Sequence, residues 1–306
     1  MNSNQGARDG ATAAVHRIGW LGAGKMGAPM IRNLLAHGAT VAVTEPRDIA
    51  RASLLEAGAA DARSPSDHAA SDMVFATLPN DRALLDVVAG TASGGGLAFC
   101  LRPGTCFIEM STVSPDCSAM VAEILKERGI FYLRAPVSGS TALAEKAALT
   151  ILASGDPEAW QAAEPYLRMM SARRFYLGAG EEARYMKLVV NMLVGATSAI
   201  LAEALSLGES GGLSRESMME VIGESAVASP LLKYKTDAVV SYDFDPAFTV
   251  AQMIKDLSLI QGAANANDVP QFVTGLILEL YRAAANSGLR EADFFALVKW
   301  HASMSG

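Results

Sequence analysis

The chain has 306 residues, of which 51% are hydrophobic and 19% charged, and its formal net charge is −7. A composition this apolar excludes a disordered protein, and the length suits one large or two ordinary domains. The negative balance argues against nucleic acid or an anionic membrane as the main partner, but not against a small anion held by local cations.

Residues 1–14 are small and polar with no apolar run, which predicts a flexible tail and no signal peptide. Residues 15–21 (VHRIGWL) form the first predicted strand, and 25–38 (KMGAPMIRNLLAHG) a helix closed by Gly38. Further strands are predicted at 40–45, 72–79, 105–112, 130–136 and 148–155, with helical stretches between them. One of these, 114–129, opens with Ser114 as N-cap and Pro115 in the first turn. Strands alternating with crossover helices predict an α/β fold built on a doubly wound, mostly parallel sheet of Rossmann type.

Beyond residue 180 the β signal stops. Residues 182–212 read as one long helix stopped by Gly211 and Gly212, followed by helices near 215–226, 250–267, 270–288 and 291–304. The predicted organisation is a tail (1–14), a dinucleotide-binding domain (15–180) and an all-helical domain (181–306) joined through the long helix. Residues 188–205 are apolar enough to be weighed as a membrane span, but Asn191, Ser198 and Glu203 interrupt them, and a buried core helix is the reading adopted.

The loop after the first strand carries Gly22, Gly24 and Gly27 in a G-x-G-x-x-G pattern. The first glycine permits a tight turn, the second lets backbone approach a pyrophosphate, and the third lets helix and strand pack closely. Helix N-terminal N–H groups then face the phosphates. Glycines also cluster in ordinary turns, so context decides. Here the loop follows a strand, opens a helix, and is followed by Glu45 at the end of the second strand, near the expected spacing of about 20 residues. A carboxylate there accepts from the ribose hydroxyls of NAD and repels a 2′-phosphate, so NAD is expected as cofactor. Arg47, two residues on, is either a solvated residue at a helix start or a partner for the 2′-phosphate of NADP.

Cys100, Cys106 and Cys117 lack metal-ligand spacing and cannot all pair, which predicts free thiols in a reducing, cytoplasmic setting. His16, His37, His68 and His301 are dispersed, so no metal site is expected.

The chain resembles the β-hydroxyacid dehydrogenases from about residue 15 to about 300. The resemblance rests on GAGKMGAPM (22–30), EMSTVSP (109–115), APVSGS (135–140) and KLVVNML (187–193) followed by KDLSL (255–259), in that order. It implies hydride transfer between NAD and a small 3-hydroxy carboxylic acid. Lys187 resembles the catalytic lysine that moves a proton to or from the substrate oxygen. Asn191, one turn later on the same helix face, would hold that lysine and the substrate. The cofactor contacts it implies are Gly22, Ala23, Gly24, Lys25, Met26, Gly27, Glu45, Leu78, Pro79, Thr112 and Lys255. The substrate contacts it implies are Ser138, Gly139 and Ser140, a turn that can nest a carboxylate, with Asp256 beside Lys255.

Two positions depart from the family pattern. Arg134 stands where the family usually has Asp, and Ser140 where it has Gly. Either the pocket takes a ligand with a further anionic or polar group, or the change lies clear of it. An imine reductase shares the fold but usually has another residue at position 187, and a non-catalytic relative would have lost the lysine. The many helices of the second domain predict a homodimer or homotetramer.

Overall fold

A computed structural model describes residues 16–91 and 94–304; the predicted tail, 1–14, lies outside the described residues. Nine strands form one sheet: β1 (Ile18–Leu21), β2 (Val41–Thr44), β3 (Ala60–Asp61), β4 (Met73–Ala76), β5 (Cys106–Glu109), β6 (Phe131–Arg134), β7 (Val137–Ser138), β8 (Leu149–Gly155) and β9 (Ser171–Tyr176). The order is β3-β2-β1-β4-β5-β6-β8-β9, with β7 paired to β8. The first six strands are parallel and follow the 3-2-1-4-5-6 order of dinucleotide-binding sheets. Strand β8 then runs antiparallel to β6, and β9 parallel to β8.

The helices between the strands are α1 (Gly27–Ala36), α2 (Asp48–Glu56), α3 (Asp81–Ala89), α4 (Pro115–Lys126), α5 (Thr141–Glu145) and α6 (Pro157–Arg168). Strand residues alternate between two cores, as a period of two requires. Ile18, Trp20, Met73, Phe75 and Ile108 pack with α1 and α6, while Leu21, Val74, Ala76 and Phe107 pack with α3 and α4. Both faces are covered, which is why these strands are apolar throughout.

The second half is α7 (Glu182–Ser210), α8 (Arg215–Glu224), α9 (Pro230–Ser241), α10 (Val250–Asn265), α11 (Phe272–Ala284) and α12 (Leu297–Ala302). Helix α7 is long and apolar enough to cross a membrane by composition, yet its inner side packs against α10, α11 and α12. Its first turns also pack against β7 and β8, so one helix belongs to both halves.

Several boundaries shift from the sequence reading. Helix α1 starts at Gly27, because Gly24–Met26 form a turn. The strand expected at 130–136 breaks into β6 and β7 around Pro136, which lacks the N–H a ladder needs. The last predicted helix begins with a 3₁₀ turn, Phe294–Ala296, capped by Asp293. Helix α9 and strand β9 were not anticipated. Helix α9 carries the same start signal as α4, with Ser229 accepting from Leu232 N–H and Pro230 in the first turn. Strand β9 is an edge strand whose Arg173 and Arg174 hide its β character.

Candidate active site

The carboxyl ends of β1, β2, β4 and β5 converge on the loop Gly22–Gly27, where such sheets bind ligands. Gly22 has φ +82°, and a Cβ there would collide with the Thr77 carbonyl. A Cβ on Gly27 would lie 2.5 Å from both the Gly22 carbonyl and Thr77 Oγ1. Trp20 Nε1 donates to the Gly22 carbonyl and to Thr77 Oγ1, each at 3.0 Å, and locks this turn from beneath. Gly24 differs. A Cβ there would face open space, with Arg47 Nη2 the nearest atom at 3.6 Å. Helix α1 has no side-chain cap and no acid in its first turn; Ala28 N–H is taken by the Gly24 carbonyl and Pro29 has none, so an anion would meet the N–H groups of Gly24–Gly27. The turn thus fits the pyrophosphate of a dinucleotide.

Glu45 is 4% exposed and lies against that turn. It accepts from Ala23 N–H at 2.6 Å and from Arg47 through its N–H (3.0 Å), Nε (2.7 Å) and Nη2 (3.2 Å). Burial opposes its ionisation, but the donors of Arg47 and Ala23 outweigh burial and hold the carboxyl below its usual range. Arg47 is largely exposed, so it covers Glu45 from solvent and is free to swing away. The sequence left Arg47 open between solvated residue and phosphate partner; in the structure it is the partner of Glu45.

On α7, Lys187 Nζ donates to Asn191 Oδ1 at 3.0 Å, and Asn191 Nδ2 donates to Asp256 Oδ2 at 2.5 Å. The amide orientation is fixed by chemistry, since an ammonium only donates and a carboxylate only accepts. Lys255 pairs with Asp256 at 2.9 Å and donates to the Thr112 carbonyl at 2.7 Å, so α10 touches the end of β5. Burial lowers the pKa of Lys187; Asp256 opposes that shift and Lys255 adds to it. A lysine held below its ordinary range is suited to proton transfer.

The expected residues divide into groups. Gly22, Ala23, Gly24, Gly27 and Glu45 form one connected turn. Leu78 N–H donates to Ser111 Oγ at 2.6 Å, which places the Leu78–Pro79 turn beside Thr112. Met26 is half-buried at the N-cap of α1. Lys25 turns across to the helical half, where its Nζ donates to the Pro246 carbonyl at 2.7 Å. Ser138 ends the strand β7 that α7 packs against, and Gly139, just after it, has φ +137° with no room for a side chain beside Leu149. Asp256 is 1% exposed and accepts from Asn191 Nδ2. The Ser140 hydroxyl accepts from Leu143 N–H as N-cap of α5, which leaves its own O–H to donate.

Arg134 neither lines the pocket nor reaches the surface. It is 6% exposed, pairs with Glu181, donates to Ser118 Oγ at 3.1 Å and covers the Tyr132 ring at 4.5 Å. Beside it, Arg184 pairs with the fully buried Glu109. The sequence reading missed Arg184 and the role of Glu109. The available signal was an acid closing an apolar strand and an arginine one turn before Lys187. The thiols do not take part: burial pushes Cys106 up to about 11 and Cys117 up to about 12.

Residues 17–178 match the family described as the NAD binding domain of 6-phosphogluconate dehydrogenase. Residues 178–301 match the one described as the NAD-binding of NADP-dependent 3-hydroxyisobutyrate dehydrogenase. The chain belongs to the β-hydroxyacid dehydrogenase family. It is 34% identical to 2-(hydroxymethyl)glutarate dehydrogenase of Eubacterium barkeri, over 95% of this chain and 96% of that protein. A solved 3-hydroxyisobutyrate dehydrogenase from Salmonella typhimurium superposes with a TM-score of 0.84 at 26% identity, covering 93% of this chain and 99% of the other. The Mycobacterium tuberculosis 3-hydroxyisobutyrate dehydrogenase, solved with L-serine, gives 0.81 at 29% identity, covering 94% and 99%. As a β-hydroxyacid dehydrogenase the chain is an NAD(P)-dependent oxidoreductase acting on a CH–OH group.

Proposed function

We propose that this dehydrogenase oxidises, or in reverse forms, a small 3-hydroxy acid of the type HO–CH₂–CHR–COO⁻, with Lys187 exchanging the oxygen-bound proton. The observation that carries the reading is the buried chain Lys187–Asn191–Asp256, closed onto Thr112 by Lys255. The substrate type is the common part of the molecules named for three of its relatives: 3-hydroxyisobutyrate, L-serine and 2-(hydroxymethyl)glutarate all contain HO–CH₂–CHR–COO⁻ and differ only in R.

NAD(P), when bound at the glycine turn, supplies the hydride acceptor or donor. Neutral Lys187 accepts the hydroxyl proton during oxidation, and its ammonium returns a proton to the developing alkoxide during reduction. Asn191 holds the amine through Oδ1, and Asp256 fixes Asn191 in turn. Ser138 and the Gly139 backbone are assigned to the substrate carboxylate, for which the turn offers donors and no opposing acid. Leu78, Pro79, Met26, Thr112 and Lys255 are assigned to the cofactor side. NAD is proposed as the preferred cofactor, because reaching Glu45 with a ribose diol displaces only the exposed Arg47 side chain.

The chain is proposed to divide at about residue 180, where the sheet ends, and to work in the cytoplasm as a homodimer or homotetramer. Met186, Val189, Leu193, Ile200 and Leu207 recur along the outer side of α7 and are exposed, which supports a helical face covered by a second copy. Purified protein supplied with NAD and a panel of HO–CH₂–CHR–COO⁻ acids tests the assignment. Turnover of one or more acids, strongly reduced in Lys187→Ala, is expected. Equal turnover of secondary alcohols lacking a carboxylate refutes the substrate type.

A further inference from the structure

The largest buried polar cluster of the described residues is not part of the pocket. It joins the end of β5, the first turn of α4, strand β6 and the first turn of α7 through Glu109, Ser118, Tyr132, Arg134, Glu181 and Arg184. Replacing a buried ion pair by apolar residues is often neutral or stabilising, so stability alone is a weak reason for such a cluster. Its connections suggest another one. Ser111 is gripped at every polar group it has. Its N–H donates to Glu109 Oε1 at 2.7 Å, its carbonyl accepts from Arg184 Nη1 at 2.8 Å, and its Oγ accepts from Leu78 N–H at 2.6 Å. Arg184 Nη2 pairs with the other oxygen of Glu109, so one carboxylate and one guanidinium clamp the strand end from both sides. Arg184 Nε also donates to Ser118 Oγ at 3.2 Å. Burial works against the charge of Arg184, but Glu109 overrides it and the guanidinium stays ionised.

The same arginine lies one turn before Lys187 on α7. Thr112 follows Ser111 and receives Lys255 on its carbonyl. Arg184 is therefore a rigid link between the helix that carries the proton-transfer lysine and the strand end assigned to the cofactor. Those two elements come from different halves of the chain, and their separation decides whether proton and hydride leave the same substrate in register.

We propose that Arg184 and Glu109 are positioning residues for the reaction, setting the register of Lys187 against the Ser111–Thr112 strand end. The proposal rests on Lys187 as the proton-transfer group. Arg134 and Glu181, on the far side of Ser118, serve only to complete the cluster.

The test compares Arg184→Lys, Glu109→Gln and Arg134→Met with Lys187→Ala. Arg184→Lys keeps the charge but loses the fork that spans Ser111, Ser118 and Glu109. Its kcat is expected to fall about 10- to 100-fold, the scale of a small misplacement of reacting groups, while the Kd for NAD, read by fluorescence quenching, stays within about twofold. Hydrogen exchange in the cofactor-free protein is expected to quicken at residues 109–113 and 182–187 and to hold steady in α10 and α11. Glu109→Gln, which keeps the acceptor for Ser111 N–H, is expected to show the same pattern more weakly and covers the case in which Arg184→Lys fails to fold. Arg134→Met is expected to lower Tm with little change in kcat. Folded Arg184→Lys and Glu109→Gln with normal kcat and unchanged exchange overturn the proposal. If Lys187→Ala is also active, it is the proton-transfer assignment that has failed.

Discussion

Lys187 shows how burial, partner and function meet in one side chain. Desolvation favours its neutral amine, and a donated hydrogen bond to Asn191 aims it. Lys187→Ala is expected to lower kcat and kcat/KM together by about 10²- to 10⁴-fold, the usual share of general acid–base catalysis, with NAD affinity retained in equilibrium titration. Asn191→Ala is expected to lose less, because it orients the amine and carries no proton. Oxidation needs the neutral amine, so its rate rises with pH as Lys187 deprotonates, and a depressed pKa puts that limb below the usual lysine range. Asp256 raises the Lys187 pKa, so Asp256→Asn should move the limb to lower pH in a kcat profile. A limb that moves upward contradicts the network. Glu45 gives a second prediction at this scale. Wild-type kcat/KM is expected to favour NAD over NADP, Glu45→Ala to erode the preference by relieving repulsion of the 2′-phosphate, and Arg47→Ala to weaken NADP further. Higher efficiency with NADP in the wild type overturns the reading of Glu45.

At the scale of elements, the sheet is pinned from beneath by a short one. The 3₁₀ turn Pro65–His68 places His68, 0% exposed, against Gly19, with Nε2 and Thr44 Oγ1 2.8 Å apart. Burial lowers its pKa, with Asp67 opposing, from an unfolded value of 6.5. The unfolded chain then binds a proton that the folded chain refuses, so stability is lost as pH falls below 6.5. In urea titrations the slope is expected to steepen below about pH 6.5, toward the single-proton limit of about 1.4 kcal/mol per pH unit. His68→Gln should flatten it; an unchanged slope assigns the effect to other groups.

At the scale of the molecule, α7 serves both halves and still presents an apolar outer face. Leu193 is 64% exposed, Ile200 62% and Leu207 75%, at helical spacing along one side. Sedimentation is expected to give a dimer or tetramer, and Leu193→Glu with Ile200→Glu to dissociate it, since buried unpaired charges are costly. A wild-type monomer at micromolar concentration refutes the assembly.

The sequence by itself determined everything governed by local chemistry. The glycine turn, the Ser114–Pro115 helix start, the strand-to-helix change near residue 180 and the Lys187–Asn191 face all follow from spacing and conformational preference within a few residues. What depends on contacts far along the chain it left open. Asp256 and Ser140 have side chains suited to a ligand, and only the fold sets one against Asn191 and the other at the start of α5. Arg134, a departure from the family pattern, finds its acid at Glu181, and Glu109 finds its base at Arg184. Burial makes a charge dependent on its partner, and only the tertiary structure decides which partner stands there.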